Sequence, residues 1–223
     1  MSDEPELPVA GTVVLLRDAP HGIETLLMRR PDRGSFAGAW VFPGGRTEEV
    51  DRRPGASERE DAARAAIREA REEVGLDVEN PVPLSLWEPP IQVPTRIRTW
   101  FFLAEARRQE LRLSPAEVVD ARWERPEAAL ERHAAGEWTV FPPTWMTLHG
   151  LLGRTDVRAA LADAVGPRPV FRTRVLDSPS GRSFHWGDVS LETGSLPWRV
   201  QHRRQAQPLG DAPNASGPSR IPG

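Results

Sequence analysis

Arg68-Glu69-Ala70-Arg71-Glu72-Glu73-Val74-Gly75-Leu76, with Phe42-Pro43-Gly44-Gly45 upstream, is the stretch on which the reading of this 223-residue chain turns. The spacing predicts a helix from about Asp61 to Val74. Ala63, Ile67, Ala70 and Val74 recur at intervals of four, three and four, which makes one apolar stripe. Glu69, Glu72 and Glu73 stand at i, i+3 and i+4, so their carboxylates share a different face. Gly75 follows the last apolar position, where helices commonly stop. Like charges on one exposed turn repel by about 0.2–0.5 kcal/mol per pair, a cost that Arg68 and Arg71 can offset. Taken by itself, the helix therefore reads first as a solvated Arg/Glu surface. The sharper reading is a set of hard oxygen ligands that hold a divalent ion beside a phosphate.

The neighbouring residues favour the sharper reading. Arg68-Glu69-Ala70-x-Glu72-Glu73-x-Gly75-Leu76 resembles the second half of the Nudix box, G-x5-E-x7-R-E-U-x-E-E-x-G-U, where U is aliphatic. Ala70 is a small occupant of the first U position, and Glu60, eight residues before Arg68, matches the x7 spacing. Phe42-Pro43-Gly44-Gly45 is similar to the strand-to-loop passage of that family. There is one departure: the 14 residues Arg46 to Arg59 separate Gly45 from Glu60, where the pattern has five. Pro54-Gly55 marks an inserted turn. In this register the insertion is expected to be a surface excursion on the loop side of Glu60, with almost nothing to bury. Its loop closure costs on the order of 1 kcal/mol.

Composition narrows the other classes. The chain has no cysteine, hence no disulfide, thiolate site or cysteine nucleophile. All 29 basic residues are arginine, which excludes Schiff-base and Walker lysine chemistry. A net charge of −3 argues against a nucleic-acid or membrane-surface protein as such. The acidic stretch Met1 to Pro8 lacks the pattern of a signal peptide, and no apolar run approaches the ~20 residues that span a bilayer. A cytoplasmic location is the default expectation. The partner expected is a small nucleotide derivative, without nucleic acid or membrane; a homodimer is compatible with the sequence, which does not fix the oligomeric state.

Strands are expected at Val9 to Leu16 and Ile23 to Arg30, as a hairpin, and at Ala39 to Phe42. Further strands are expected at Pro83 to Trp87, Arg96 to Ala106 and Val118 to Trp123. Helices are read at Pro126 to Ala135, Thr144 to Leu152 and Val157 to Val165. The mixture indicates an α+β fold, and the resemblance implies a Nudix-type α/β/α sandwich with a mixed sheet. Past Gly166, Val170 to Leu176, Ser183 to Leu191 and Trp198 to His202 read as short strands between Pro/Ser/Gly turns. The expected organisation is a flexible N-terminus over 1–8, a main domain over 9–166, a small C-terminal β extension over 167–204 and a disordered tail over 205–223.

The resemblance implies metal-dependent hydrolysis of a pyrophosphate bond in a nucleoside diphosphate linked to another moiety, with Mg²⁺ or Mn²⁺ as cofactor. Carried over by position, Glu69, Glu72, Glu73 and the Gly45 carbonyl are the metal ligands. Glu69 also takes the proton from water, Arg68 orients the glutamates, and Glu60 braces the loop against the helix. Glu117 is a further acidic candidate, with an exposed loop acid as its plain alternative. The five histidines are scattered and read as surface or packing residues. Trp87-Glu88-Pro89-Pro90, Arg96-x-Arg98-Thr99-Trp100 and Phe141-Pro142-Pro143-Thr144 are similar to a long-loop Nudix subgroup that includes the mammalian peroxisomal coenzyme A diphosphatase. On that basis Arg96 and Arg98 would grip phosphates, and Trp87 or Trp100 would stack on a base. Two other classes stay open: a catalytically idle ligand-sensing domain, and an interaction protein that uses the C-terminal strands.

Overall fold

A computed structural model describes residues 7–34, 36–93, 95–107 and 109–202. The expected tail over 205–223 lies outside these, as does most of the expected flexible N-terminus. Among the described residues no helix is long and apolar enough to cross a membrane.

The main sheet has eight strands, β1 (Val9–Ala19), β2 (Gly22–Arg29), β3 (Trp40–Val41), β4 (Gly44–Arg46), β5 (Val82–Glu88), β6 (Arg98–Glu105), β7 (Asp120–Glu124) and β8 (Val170–Arg172). Its order is β3-β2-β1-β6-β5-β8, with β4 paired to β1 and β7 to β2. Parallel pairing of β1 with β6 and of β5 with β8 makes it a mixed sheet. Helix α1 (Glu58–Val74) covers one face. Helices α2 (Pro126–Ala134), α3 (Pro142–Gly150) and α4 (Val157–Asp163) cover the other. This is the Nudix-type sandwich in an α+β chain.

Two apolar clusters follow from strand alternation. Val13, Leu15, Leu26, Met28 and Phe102 face α1, while Val14, Leu16, Leu27, Phe101 and Leu103 face the other helices. Helix α1 starts at a capping box, with Ser57 and Glu60 bonding each other's backbone N–H, and stops at Gly75. Its buried face is Ala62, Ala65, Ala66, Ala70, Glu73 and Val74, rotated from the expected stripe. Ala63 and Ile67 are only partly buried. In an alanine-rich helix several stripes have similar apolar content, so contact with the sheet selects among them. The selected face includes Glu73, which therefore enters the interior.

The C-terminal strands differ from expectation in two places. β8 joins the main sheet. The single strand expected over Ser183 to Leu191 is a hairpin, β10 (Gly181–Trp186) and β11 (Val189–Glu192), which turns at Gly187-Asp188 with Gly187 at φ +58°. With β9 (Arg174–Ser178) and β12 (Arg199–His202) these strands form a second, antiparallel sheet. Its Trp186 and Leu191 are buried in the same cluster as Trp87.

Candidate active site

The last turns of α1 carry the site, and the chain after β6 is fastened to them. The N–H groups of Arg112 and Ser114 donate to the carbonyls of Val74 and Glu73, both at 2.9 Å. The following turn closes through Glu117 N–H to Ser114 O at 3.0 Å, and buried Val118 anchors it in the α1-side core. These bonds bring Glu117 to the helix end. Ligand oxygens of Glu69, Glu73 and Glu117 lie within 4.8 Å of one another.

Glu73 is 1% exposed. Its Oε2 accepts from the Gly44 N–H at 2.9 Å, and its Oε1 from Arg30 Nη1 at 2.6 Å. Burial pushes its carboxyl up to about 8, against the Gly44 bond and the Arg30 charge, which favour the ionised form; Glu69 and Glu117 push it further up. Glu69 is raised too, first by burial, then by Glu72 and Glu117, with Arg68 acting in the opposite direction. Gly45 lies directly against Glu69: a Cβ there would overlap the Glu69 carboxylate. A larger residue here would have to displace that carboxylate.

Arg68 uses every N–H it has. It donates to both oxygens of Asp51 (3.0–3.3 Å), to Arg46 O (3.0 Å), to Glu69 Oε1 (2.9 Å) and to Glu72 Oε2 (3.0 Å). Asp51 is only 3% exposed. It ends a 3-10 turn, Glu49–Asp51, accepts from the Glu48 N–H at 2.9 Å, and its carbonyl accepts from Arg64 Nε at 2.6 Å.

This overturns the expected register. Gly45-x5-Asp51 has the spacing of the box's first half, with aspartate for glutamate, and Asp51 is the acid that meets Arg68. Glu60, expected to brace the loop, is exposed, and its carboxylate caps Ser57 through N–H and Oγ, both at 2.7 Å. The extra residues therefore lie between Asp51 and Arg68, on the helix side of the box acid. The expected bland excursion supplies a buried carboxylate.

The other expected residues separate. Glu72 is outside the close cluster; its side chain is 57% exposed and shares Arg68 Nη1 with Glu69. Trp87 is a core residue, 4% exposed, stacked on Phe171 at 4.0 Å and 11° with Trp186 at its edge, so no face is free for a base. Arg98 pairs with Glu58 at 3.1 Å and lies 3.8 Å from Glu88. Trp100 Nε1 donates to Glu58 at 2.8 Å. Glu58 opens α1, eleven residues before Glu69, so Arg98 and Trp100 attach about 16 Å along the helix from the carboxylates. Arg96 is half-buried two residues before β6.

Arg30 escaped the sequence reading. A signal was present: alternation puts it on the face of buried Leu26 and Met28, where an arginine requires a buried partner.

The NUDIX domain family profile matches residues 7–143. No curated protein sequence matches the chain. Among solved structures, the NUDIX hydrolase of Alicyclobacillus acidocaldarius is similar at a TM-score of 0.64 and 24% identity, over 73% of this chain and 99% of that one. The NUDIX domain of Shewanella oneidensis NrtR, in a structure with ADP ribose, is similar at 0.52 and 16% identity, over 66% and 86% of the two chains. A mixed sheet between helices, with a glutamate helix set against a glycine turn, is the Nudix arrangement, and the chain belongs to the Nudix family. By class it is a pyrophosphohydrolase.

Proposed function

We propose that this chain hydrolyses the pyrophosphate bond of a nucleoside diphosphate linked to a second moiety, and that it does so with Mg²⁺ or Mn²⁺. The convergence of Glu69, Glu73 and Glu117 carries the reading. Five carboxylates (these three, Glu72 and Asp51) meet two guanidiniums, Arg30 and Arg68. Hard oxygen donors in excess of positive charge, in a partly buried site, suit a divalent cation.

Glu69, Glu73 and Glu117 would hold the ion, with the Gly45 backbone beside Glu69 and with Glu72 serving from the solvent side once released from Arg68. The ion, when bound, neutralises phosphate charge and acidifies water. Arg68, fixed by Asp51, keeps Glu69 in place. Glu69 accepts the proton of the attacking water. Arg30, at the end of its strand beside Glu73, grips a phosphate oxygen of the substrate.

Leaving groups of the coenzyme A, ADP-ribose and dinucleotide kinds all fit this chemistry. Support for the coenzyme A kind is narrower than the sequence implied, because Trp87, Trp100 and Arg98 have other partners. A panel of coenzyme A, ADP-ribose, NADH, dinucleoside polyphosphates and nucleoside triphosphates, assayed with Mg²⁺ and with Mn²⁺, tests the reading. Turnover of at least one compound that stops on chelation is expected; no turnover of any would favour the idle ligand-sensing alternative.

A further inference from the structure

Sixteen residues separate Asp51 from Arg68, where the family pattern has seven. The segment that leads into α1 is fastened to the helix at successive rungs. Arg68 Nη2 donates to Arg46 O at 3.0 Å, Arg64 Nε to Asp51 O at 2.6 Å, and the Arg53 N–H to Asp61 Oδ1 at 3.3 Å. Asp61, Arg64 and Arg68 stand at intervals of three and four, on one face of the helix. Residues 46–53 therefore run back along α1, antiparallel to it.

Arg64 holds the middle rung, and its bond meets a need that the local sequence creates. Asp51 ends the 3-10 turn Glu49–Asp51. If that turn continued, the Asp51 carbonyl would accept from the N–H of the third residue on. That residue is Pro54, which has no N–H. Pro54-Gly55 turns the chain away instead, with Gly55 at φ +77° and the Ala56 N–H closing on Arg53 O at 3.1 Å. Arg64 supplies the missing donor. Its Nη2 pairs with Asp61, so the planar fork is fixed at two points.

Reach is the second need. Aspartate is shorter than glutamate by one C–C bond, about 1.5 Å, yet Asp51 meets Arg68 through both oxygens at 3.0–3.3 Å. A shorter acid closes the same gap only if its backbone stands nearer the helix. The Arg64 bond acts on that backbone directly, one helical turn from Arg68.

We infer that Arg64 is a positioning residue for the hydrolysis. It holds the backbone of Asp51 against α1, which lets an aspartate brace Arg68 and so keeps the Glu69 carboxylate in place. The inference rests on the hydrolase reading and adds a residue to it. Arg64 acts only through others, since its own partners are Asp51 and Asp61.

The test removes the guanidinium in two backgrounds. Arg64→Met keeps an unbranched stem, and the side chain is 31% exposed, so the fold should survive; melting checks this. Arg64→Ala, which removes the stem as well, is the second variant and should give the same pattern. Each is made in wild type and in Asp51→Glu, whose longer side chain reaches Arg68 from a backbone that has withdrawn. Turnover with Mn²⁺ is measured on every compound of the diphosphate panel that wild type hydrolyses. Nuclear magnetic resonance follows the protection of the Arg68 Nε–H from solvent exchange. In wild type, loss of Arg64 should lower kcat about tenfold with KM little changed, and the Nε–H should lose its protection. In Asp51→Glu the same substitution should cost no more than about twofold and leave the protection in place. Unchanged kcat, an equal loss in both backgrounds, or a fallen kcat with undiminished protection overturns the role of Arg64. A wild type that turns over no diphosphate overturns the hydrolase reading instead, and Nε–H protection in the two backgrounds still decides whether Arg64 positions Arg68.

Discussion

Asp51 and Glu73 are ionisable side chains at 3% and 1% exposure in a chain with ample surface, and each is held by an arginine. Removing one partner of a buried ion pair leaves the other uncompensated, which typically costs 3–5 kcal/mol. The Arg68 side chain is 17% exposed and keeps its pairs with Glu69 and Glu72, which holds the effect to the low end of that range. Asp51→Ala is therefore expected to cost roughly 3 kcal/mol, a fall in Tm of about 6–12 °C for a chain of this size. It should also lower kcat, because Arg68 holds Glu69. A melting curve and turnover rate like those of wild type would refute the brace. The sequence contained the Gly45-x5-Asp51 spacing, but an aspartate at a glutamate position and a second acid, Glu60, in step with Arg68 drew the register to the wrong residue. Glu117 was identifiable as an acid near a strand start. Its meeting with Glu73 depends on backbone bonds between segments some forty residues apart, which no local pattern encodes.

Elements formed by local rules were the legible ones. The β1–β2 hairpin, the end of α1 at Gly75 and the proline that opens α2 follow from alternation, capping or fixed φ, whereas α3 starts at Pro142, two residues before the expected Thr144. Tertiary choices were not legible: which alanine stripe of α1 is buried, and whether Trp87 or Trp100 faces a ligand or the core. The join between α2 and the second sheet belongs to this group and makes a prediction about pH. His133 of α2, 5% exposed, donates from Nδ1 to Trp138 O at 3.0 Å and meets Trp198 edge-on at 4.4 Å. Burial lowers its pKa, with the Trp138 bond acting the other way. A histidine whose folded pKa is depressed contributes full stability above its unfolded value of about 6.5. As pH falls below that, the unfolded chain takes up a proton that the folded one resists, and stability declines. Glu73 and Glu69, raised in the folded protein, act in the opposite direction over this range, so the His133 contribution is read as a difference. Between about pH 6.5 and 5 the Tm of wild type should fall relative to that of His133→Asn. Parallel slopes in the two proteins would remove His133 from this role.

The molecule as a whole is a mixed sheet with the acidic cluster at one strand end. α1 and the 112–118 segment gather acids on one side of the β2 strand end, α2 and α3 cover the opposite face, and the second sheet seals the core behind Trp87. In the proposed function the carboxylates on the α1 side hold the divalent ion that hydrolysis needs. Glu73→Gln is the sharpest test, because glutamine preserves the side chain's shape while removing the carboxylate that would ligate the ion. Mn²⁺ binding followed by electron paramagnetic resonance, with the turnover rate measured on the same samples, should show at least about a hundredfold loss of turnover and a clear loss of affinity in a variant that melts as a folded protein. Wild-type Mn²⁺ affinity together with wild-type turnover in Glu73→Gln would contradict the account.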